Sequence, residues 1–121
     1  VLITSQAPRE SFSSLRDTAS LRFADDPNEL MPREQVISLM RQADAMINQS
    51  DFWVDPKLLE AAPKLRIVTN VAIGTNKLDP EPITKRGVWG CNAPYALTDT
   101  TAECAIAFML TFTRKVVTSD E

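Results

Sequence analysis

At 121 residues, 44% of them hydrophobic and 24% charged, the chain has the size and apolar content of one soluble domain. A net charge of -3, with acids and bases interspersed, argues against nucleic acid as a partner, and the apolar runs are too short to span a bilayer. The only cysteines, Cys91 and Cys104, match neither a redox pair nor a complete metal site, so a reduced, cytoplasmic setting is expected and no metal ligand is assigned.

In chain order, residues 1–4 read as a short buried strand, 8–15 as a first helix and 20–23 as a second strand. Asp25-Asp26-Pro27-Asn28 is turn-like. Pro32 then suits the start of a helix running to about Arg41, with Val36, Ile37, Leu39 and Met40 as its apolar face. Residues 45–48 form a third strand, and 56–62 a short helix carrying Leu58 and Leu59. The β-branched run Ile67-Val68-Thr69 is the natural central fourth strand. Residues 79–85 give a turn or two of helix closed by Gly87 in a C′ position, and 88–91 a fifth strand. Short strands alternating with short helices predict a parallel sheet covered on both faces. The fold class is therefore α/β: a flavodoxin-like, doubly wound, five-stranded parallel sheet with a long C-terminal interdomain helix. Ligands of such sheets lie beyond the carboxyl ends of the strands.

That last helix is expected to begin at Thr100, with Glu103 completing a capping box, or else at a cap on Thr98 or Asp99. It runs through Ile106, Phe108, Met109, Leu110 and Phe112 toward Val116 and Val117. These side chains spread over more than one stripe. The sheet of a small domain can cover only one side, so the helix asks for a partner.

Three loops converge on the predicted ligand edge. Ile73-Gly74 follows the fourth strand, where a glycine either lets a ligand approach the backbone or adopts a conformation barred to other residues. Adjacent amides turned outward there would hold an anion such as a carboxylate; a tight turn with no ligand is the plainer alternative. Asn76 and Lys77 read as solvated turn residues, with the same anion as their other possible partner. Gln49, Ser50 and Asp51 follow the third strand and either wall a pocket or form a plain loop; Phe52 and Trp53 beside them either cover it or pack on the sheet. Asn92-Ala93-Pro94-Tyr95 follows the fifth strand, and the Tyr95 hydroxyl could reach a ligand there, although a phenol is a poor proton donor near neutrality without help. Asp99 and Glu103 are better explained by the start of a helix than as a catalytic pair, and Arg114 and Lys115 by its end. The chain has no histidine, the side chain best suited to donate a proton near neutrality. It has no Gly-rich phosphate loop either, so no catalytic residue is assigned to it.

The stretches Leu65–Thr69, Ile73-Gly74, Lys85-Arg86-Gly87, Pro94 and Leu97-Thr98-Asp99-Thr100-Thr101-Ala102-Glu103, with Arg114 after the apolar helix, resemble the D-isomer-specific 2-hydroxyacid dehydrogenase family. The likeness is nearest to its glyoxylate/hydroxypyruvate reductase branch. The string LTDTTAE is fairly specific in this context, and the likeness covers essentially the whole chain. It implies a substrate-binding domain over residues 1–99, and over 100–121 an interdomain helix toward a missing nucleotide-binding domain. It implies that Ile73 and Gly74 hold the substrate carboxylate by their backbone amides, that Gln49 and Ser50 line the pocket, and that Thr101 lies near the cofactor side of the cleft. The parent enzyme would pass hydride from NAD or NADP in its reduced form to a small 2-oxo acid, as a homodimer. The isolated chain, without the family's later catalytic residues and dinucleotide loop, would hold no cofactor and be inactive. Asn76, where the family usually has Asp, and Tyr95, where a small or acidic residue is commoner, depart from the pattern. A non-catalytic flavodoxin-like binding or regulatory module is the rival reading.

Overall fold

All strand pairings are parallel, so every strand delivers its following loop to the same edge of the sheet. The structure is a computed structural model and describes residues 1–4, 7–26, 29–49 and 52–116. Four strands, β1 (Leu2–Ile3), β2 (Ala45–Asn48), β3 (Ile67–Asn70) and β4 (Trp89–Cys91), lie side by side in that order. The expected second strand holds the place outside β1 through a single parallel bridge, Leu2 to Arg22. The Ile3 amide donates to Arg22 O at 2.8 Å, and the Arg22 amide to Val1 O at 2.9 Å. Counting that segment, the spatial order is 2-1-3-4-5, the flavodoxin-like arrangement expected from the sequence. The reversal of direction falls between β1 and β2.

The register aligns Leu2, Met46, Val68 and Gly90 across the sheet. The first three join one apolar core with Val36 and Met40 of α1 (Arg33–Met40), Leu58 and Leu59 of α2 (Pro56–Glu60) and Ile83 of α3 (Pro80–Lys85). These helices therefore cover one face, as the alternation of side chains along each strand requires. The opposite face was expected to be covered as well, and its cover is uneven. Ile3 is fully buried, Ile67 is 36% exposed and Trp89 is 74% exposed. The physical reason is that α4 (Thr98–Thr113), which follows the last strand, buries none of its side chains in this domain.

Local chemistry sets the element ends. Asp55 caps α2 by accepting from the Leu58 amide at 2.9 Å, with Pro56 at the first helical position. Gly87, at φ +66°, ends α3: its amide donates to Thr84 O and the Val88 amide to Ile83 O, while the Val88 and Ile83 side chains both belong to the core. The predicted helix over 8–15 is instead a 3₁₀ segment, Arg9–Leu15, broken at Phe12. The Phe12 ring packs edge-on against Phe23 at 5.6 Å, and Ser13 and Ser14 are poor helix formers. The last helix starts earlier than the capping box required. The Thr101 amide already donates to Leu97 O, so Thr100 lies inside the first turn, and no side chain caps the start. The Thr98 hydroxyl, one of the alternative caps, donates backward to Pro94 O.

Candidate active site

The loop Val71–Thr75 leaves β3 at the ligand edge, and its conformation follows from where its carbonyls go. Ala72 O accepts from the Ala93 amide at 3.0 Å. Ile73 O accepts from Asn92 Nδ2 at 2.7 Å, and Gly74 O from Asn70 Nδ2 at 2.9 Å. All peptide bonds described are trans, so each N–H points opposite to the carbonyl of its own plane. The Ile73 and Gly74 amides are thereby turned away from the segment after β4. The Thr75 amide is turned up from Asn70 and the core. Among the described residues none of these three amides donates a hydrogen bond. Ile73 is 43% exposed and Gly74 is exposed, so the loop that carries these amides lies at the surface.

The loop is supported from below by a row of buried polar side chains that the sequence reading passed over. Thr4, Asn48 and Asn70 are 1%, 0% and 0% exposed, at the carboxyl ends of three neighbouring strands. The Thr4 hydroxyl donates to Ile47 O at 3.2 Å and to Asn48 Oδ1 at 3.3 Å. Asn48 Nδ2 donates to Phe52 O at 2.9 Å and reaches Asn70 Oδ1 at 3.4 Å, while Asn48 Oδ1 accepts from the Phe52 amide. One ladder of side chains thus ties the loop after β2 to the loop after β3. Buried amide groups of this kind are costly unless paired. The readable signal was an asparagine closing each of two apolar strand runs, directly before a loop.

The other predicted residues divide clearly. Gln49 is exposed at the start of the loop after β2, beside this edge; Ser50 and Asp51 lie outside the described residues. Phe52 packs in the core, whereas Trp53 is 53% exposed and carries the Lys77 ammonium 5.6 Å from its ring centre. Lys77 is therefore drawn to the indole, and its backbone carbonyl accepts from the Val54 amide at 2.9 Å, a second tie between the two loops. Asn76 is exposed, its Oδ1 3.2 Å from where a Cβ on Gly74 would stand. Tyr95 is 89% exposed. Thr101 lies exposed in the first turns of α4, and Asp99 and Glu103 on the same helix are exposed too. Among the described residues no group of His, Cys, Asp and Glu could hold a metal ion.

A dinucleotide does not fit these residues. Its pyrophosphate needs closely spaced glycines opening a helix, whereas the chain's three glycines stand at 74, 87 and 90, in a loop, a helix end and a strand. The start of α4 carries Asp99, which opposes a phosphate.

The arrangement is that of a parallel α/β domain presenting free backbone donors at the carboxyl edge of its strands. Residues 1–119 match the model of the "D-isomer specific 2-hydroxyacid dehydrogenase, catalytic domain" family, and the chain belongs to that family. It is 38% identical over 120 residues to a glyoxylate reductase of Pyrococcus horikoshii and 36% identical to one of Thermococcus litoralis, covering 99% of this chain and 36% of each relative. A D-3-phosphoglycerate dehydrogenase of Mycobacterium leprae is 32% identical over 120 residues, which is 22% of its length. In structure, the TT0316 protein of Thermus thermophilus superposes with a TM-score of 0.85 at 23% identity, over 98% of this chain and 38% of that one. A 2-hydroxyacid dehydrogenase of Ketogulonicigenium vulgare gives 0.78 at 20% identity, over 98% and 37%. The chain thus spans about a third of the length of the glyoxylate reductases it matches.

Proposed function

We propose that this chain is the substrate-gripping part of a reductase that passes hydride from NADH or NADPH to the C2 carbonyl of a small 2-oxo acid such as glyoxylate or hydroxypyruvate. The observation that carries the reading is the pair of free, outward amides at Ile73 and Gly74. Two N–H groups on one side of a loop suit the two oxygens of a carboxylate, and a charged acceptor makes each bond stronger than a neutral one. Gln49 is assigned to the pocket wall on the β2 side. Thr101 stands toward the cofactor side of the cleft. Residues 1–99 are assigned to the substrate-binding domain, and α4, which ends at Thr113, is read as the interdomain helix that leads to a nucleotide-binding domain elsewhere in the polypeptide. The proton donor and the cofactor site belong to that domain, so no step of the chemistry is assigned to a side chain here. The full enzyme is read as a cytoplasmic homodimer.

The rival reading, a self-contained binding or regulatory module, expects the last helix to fold back on its own sheet. α4 instead exposes Ile106, Phe108, Met109, Leu110 and Phe112 by 57% to 88%, which favours a domain completed by a partner.

The test is a titration of the ¹⁵N-labelled chain with glyoxylate, followed by NMR. Saturable shifts centred on the Ile73 and Gly74 amides are expected, with a dissociation constant on the order of millimolar, because only a few exposed hydrogen bonds act. Mixing the chain with glyoxylate and NAD(P)H should give no sustained loss of cofactor absorbance. Protein-dependent turnover would defeat the division of labour, and shifts elsewhere would defeat the site.

A further inference from the structure

We infer that Asn92, with Asn70 beneath the loop, is a positioning residue that sets the direction of the anion-holding amides; this rests on the carboxylate role proposed for Ile73 and Gly74. The peptide joining Ile73 to Gly74 is the weakest point of the loop. Turning it over changes only the angles on either side of it, and a glycine at 74 accepts the positive φ that the turned-over form would need. Any other residue there would resist the flip. In the observed form the Gly74 N–H faces outward; in the flipped form the Ile73 carbonyl oxygen would take its place and repel a carboxylate. The two forms therefore grip and reject the same ligand.

What separates them in the structure is the hydrogen bond from Asn92 Nδ2 to Ile73 O, at 2.7 Å. It crosses from the segment after β4 to the loop after β3, and the Ala93 amide fixes the preceding carbonyl, Ala72 O, in the same sense. Asn70 does the equivalent for the next peptide through Gly74 O at 2.9 Å, and is itself fully buried beside Asn48. A glycine gives the ligand close access to the loop and also makes the loop unstable toward inversion. Asn92 offsets that instability from the segment after β4, which the ligand does not need to touch. Asn92 is only partly buried, so its side chain can be altered without opening the core.

The experiment compares the wild-type chain with Asn92→Ala and with the near-isosteric Asn92→Asp, which replaces the donor with an acceptor. Each ¹⁵N-labelled protein is titrated with glyoxylate. Loss of one such hydrogen bond should weaken binding at Ile73 and Gly74 about five- to tenfold in the alanine variant. The aspartate variant should bind more weakly still. The core amides of Met46 and Val68 should keep their shifts in both variants, which a general loss of structure would not allow. If the wild type binds and Asn92→Ala binds equally well, the inference is overturned while the carboxylate site stands. If the wild type shows no saturable shift at these amides, the site reading fails and takes the inference with it. An independent check on the unmutated protein is the scalar coupling across the hydrogen bond from Asn92 Nδ2 to the Ile73 carbonyl; its absence would also overturn the inference.

Discussion

Gly74 and Gly87 serve opposite purposes, and substitution separates them. Gly87 holds φ +66°, and a Cβ added to it would meet nothing within 4 Å, so its glycine is required by conformation alone. Gly87→Ala should destabilise the fold by about 1 kcal/mol, read from a urea midpoint shift, with glyoxylate binding unchanged. Gly74 lies outside the left-handed region, and an added Cβ would meet the Asn76 Oδ1 at 3.2 Å. Asn76 is exposed and can swing aside. Gly74→Ala should therefore shift stability by less than about 1 kcal/mol while weakening glyoxylate at least severalfold, because the new methyl stands where the ligand approaches. Of the two roles the sequence left open for Gly74, strained conformation or close approach, the backbone angle excludes the first. The sequence made Ile73 and Gly74 legible as an exposed glycine loop after a β-branched run. It hid Asn48, Asn70 and Asn92, because an asparagine beside a loop is most often a solvated turn residue, and only the register between strands brings these side chains under the carbonyls they hold.

The elements that could be read most closely are those whose ends carry their own chemistry. Strands β2 and β3 and the helices opened by Pro56 and Pro80 stand where residue type placed them. The start of α2 shows why: Asp55 accepts from the Leu58 amide and from Arg33 Nη2 at 2.6 Å, with each charged side chain about a third exposed. The cap is expected to outweigh the ion pair, since partly exposed pairs contribute little. Asp55→Ala should cost about 1 kcal/mol in urea unfolding. Asp55→Asn, which keeps an acceptor for the Leu58 amide, should lose only a few tenths of that; equal losses would mean that the charge and not the cap is what matters. The elements misjudged were those fixed by contacts from elsewhere. The 3₁₀ segment Arg9–Leu15 is set by the Phe12–Phe23 contact, and the strand near Arg22 is reduced to one bridge at the sheet's margin. α4 begins at Thr98 because the Leu97 carbonyl, not a capping side chain, takes the first amide.

At the scale of the whole molecule, α4 is a helix without a domain to lie on. A helix of 16 residues is marginal by its own hydrogen bonds and normally draws its stability from a buried face. Here the apolar side chains form two faces. Ile106, Met109 and Leu110 share one side by their spacing of three and four, and Phe108 and Phe112 share another. One nucleotide-binding domain can cover one side; the second is what the proposed homodimer would cover. It follows that residues 1–121, taken alone, should self-associate through this helix. Light scattering over a concentration series from about 10 μM to 1 mM should show an average mass rising toward that of a dimer or beyond. Phe108→Glu combined with Phe112→Glu should abolish association through that side and lower the average mass at every concentration. Because those side chains are 68% and 88% exposed, the substitution removes no core contact and the urea midpoint should hardly move. A wild-type chain that stays monomeric over the whole range would mean that the bare helix has no affinity for its own copy, and the homodimer would then have to be built from surfaces outside these residues.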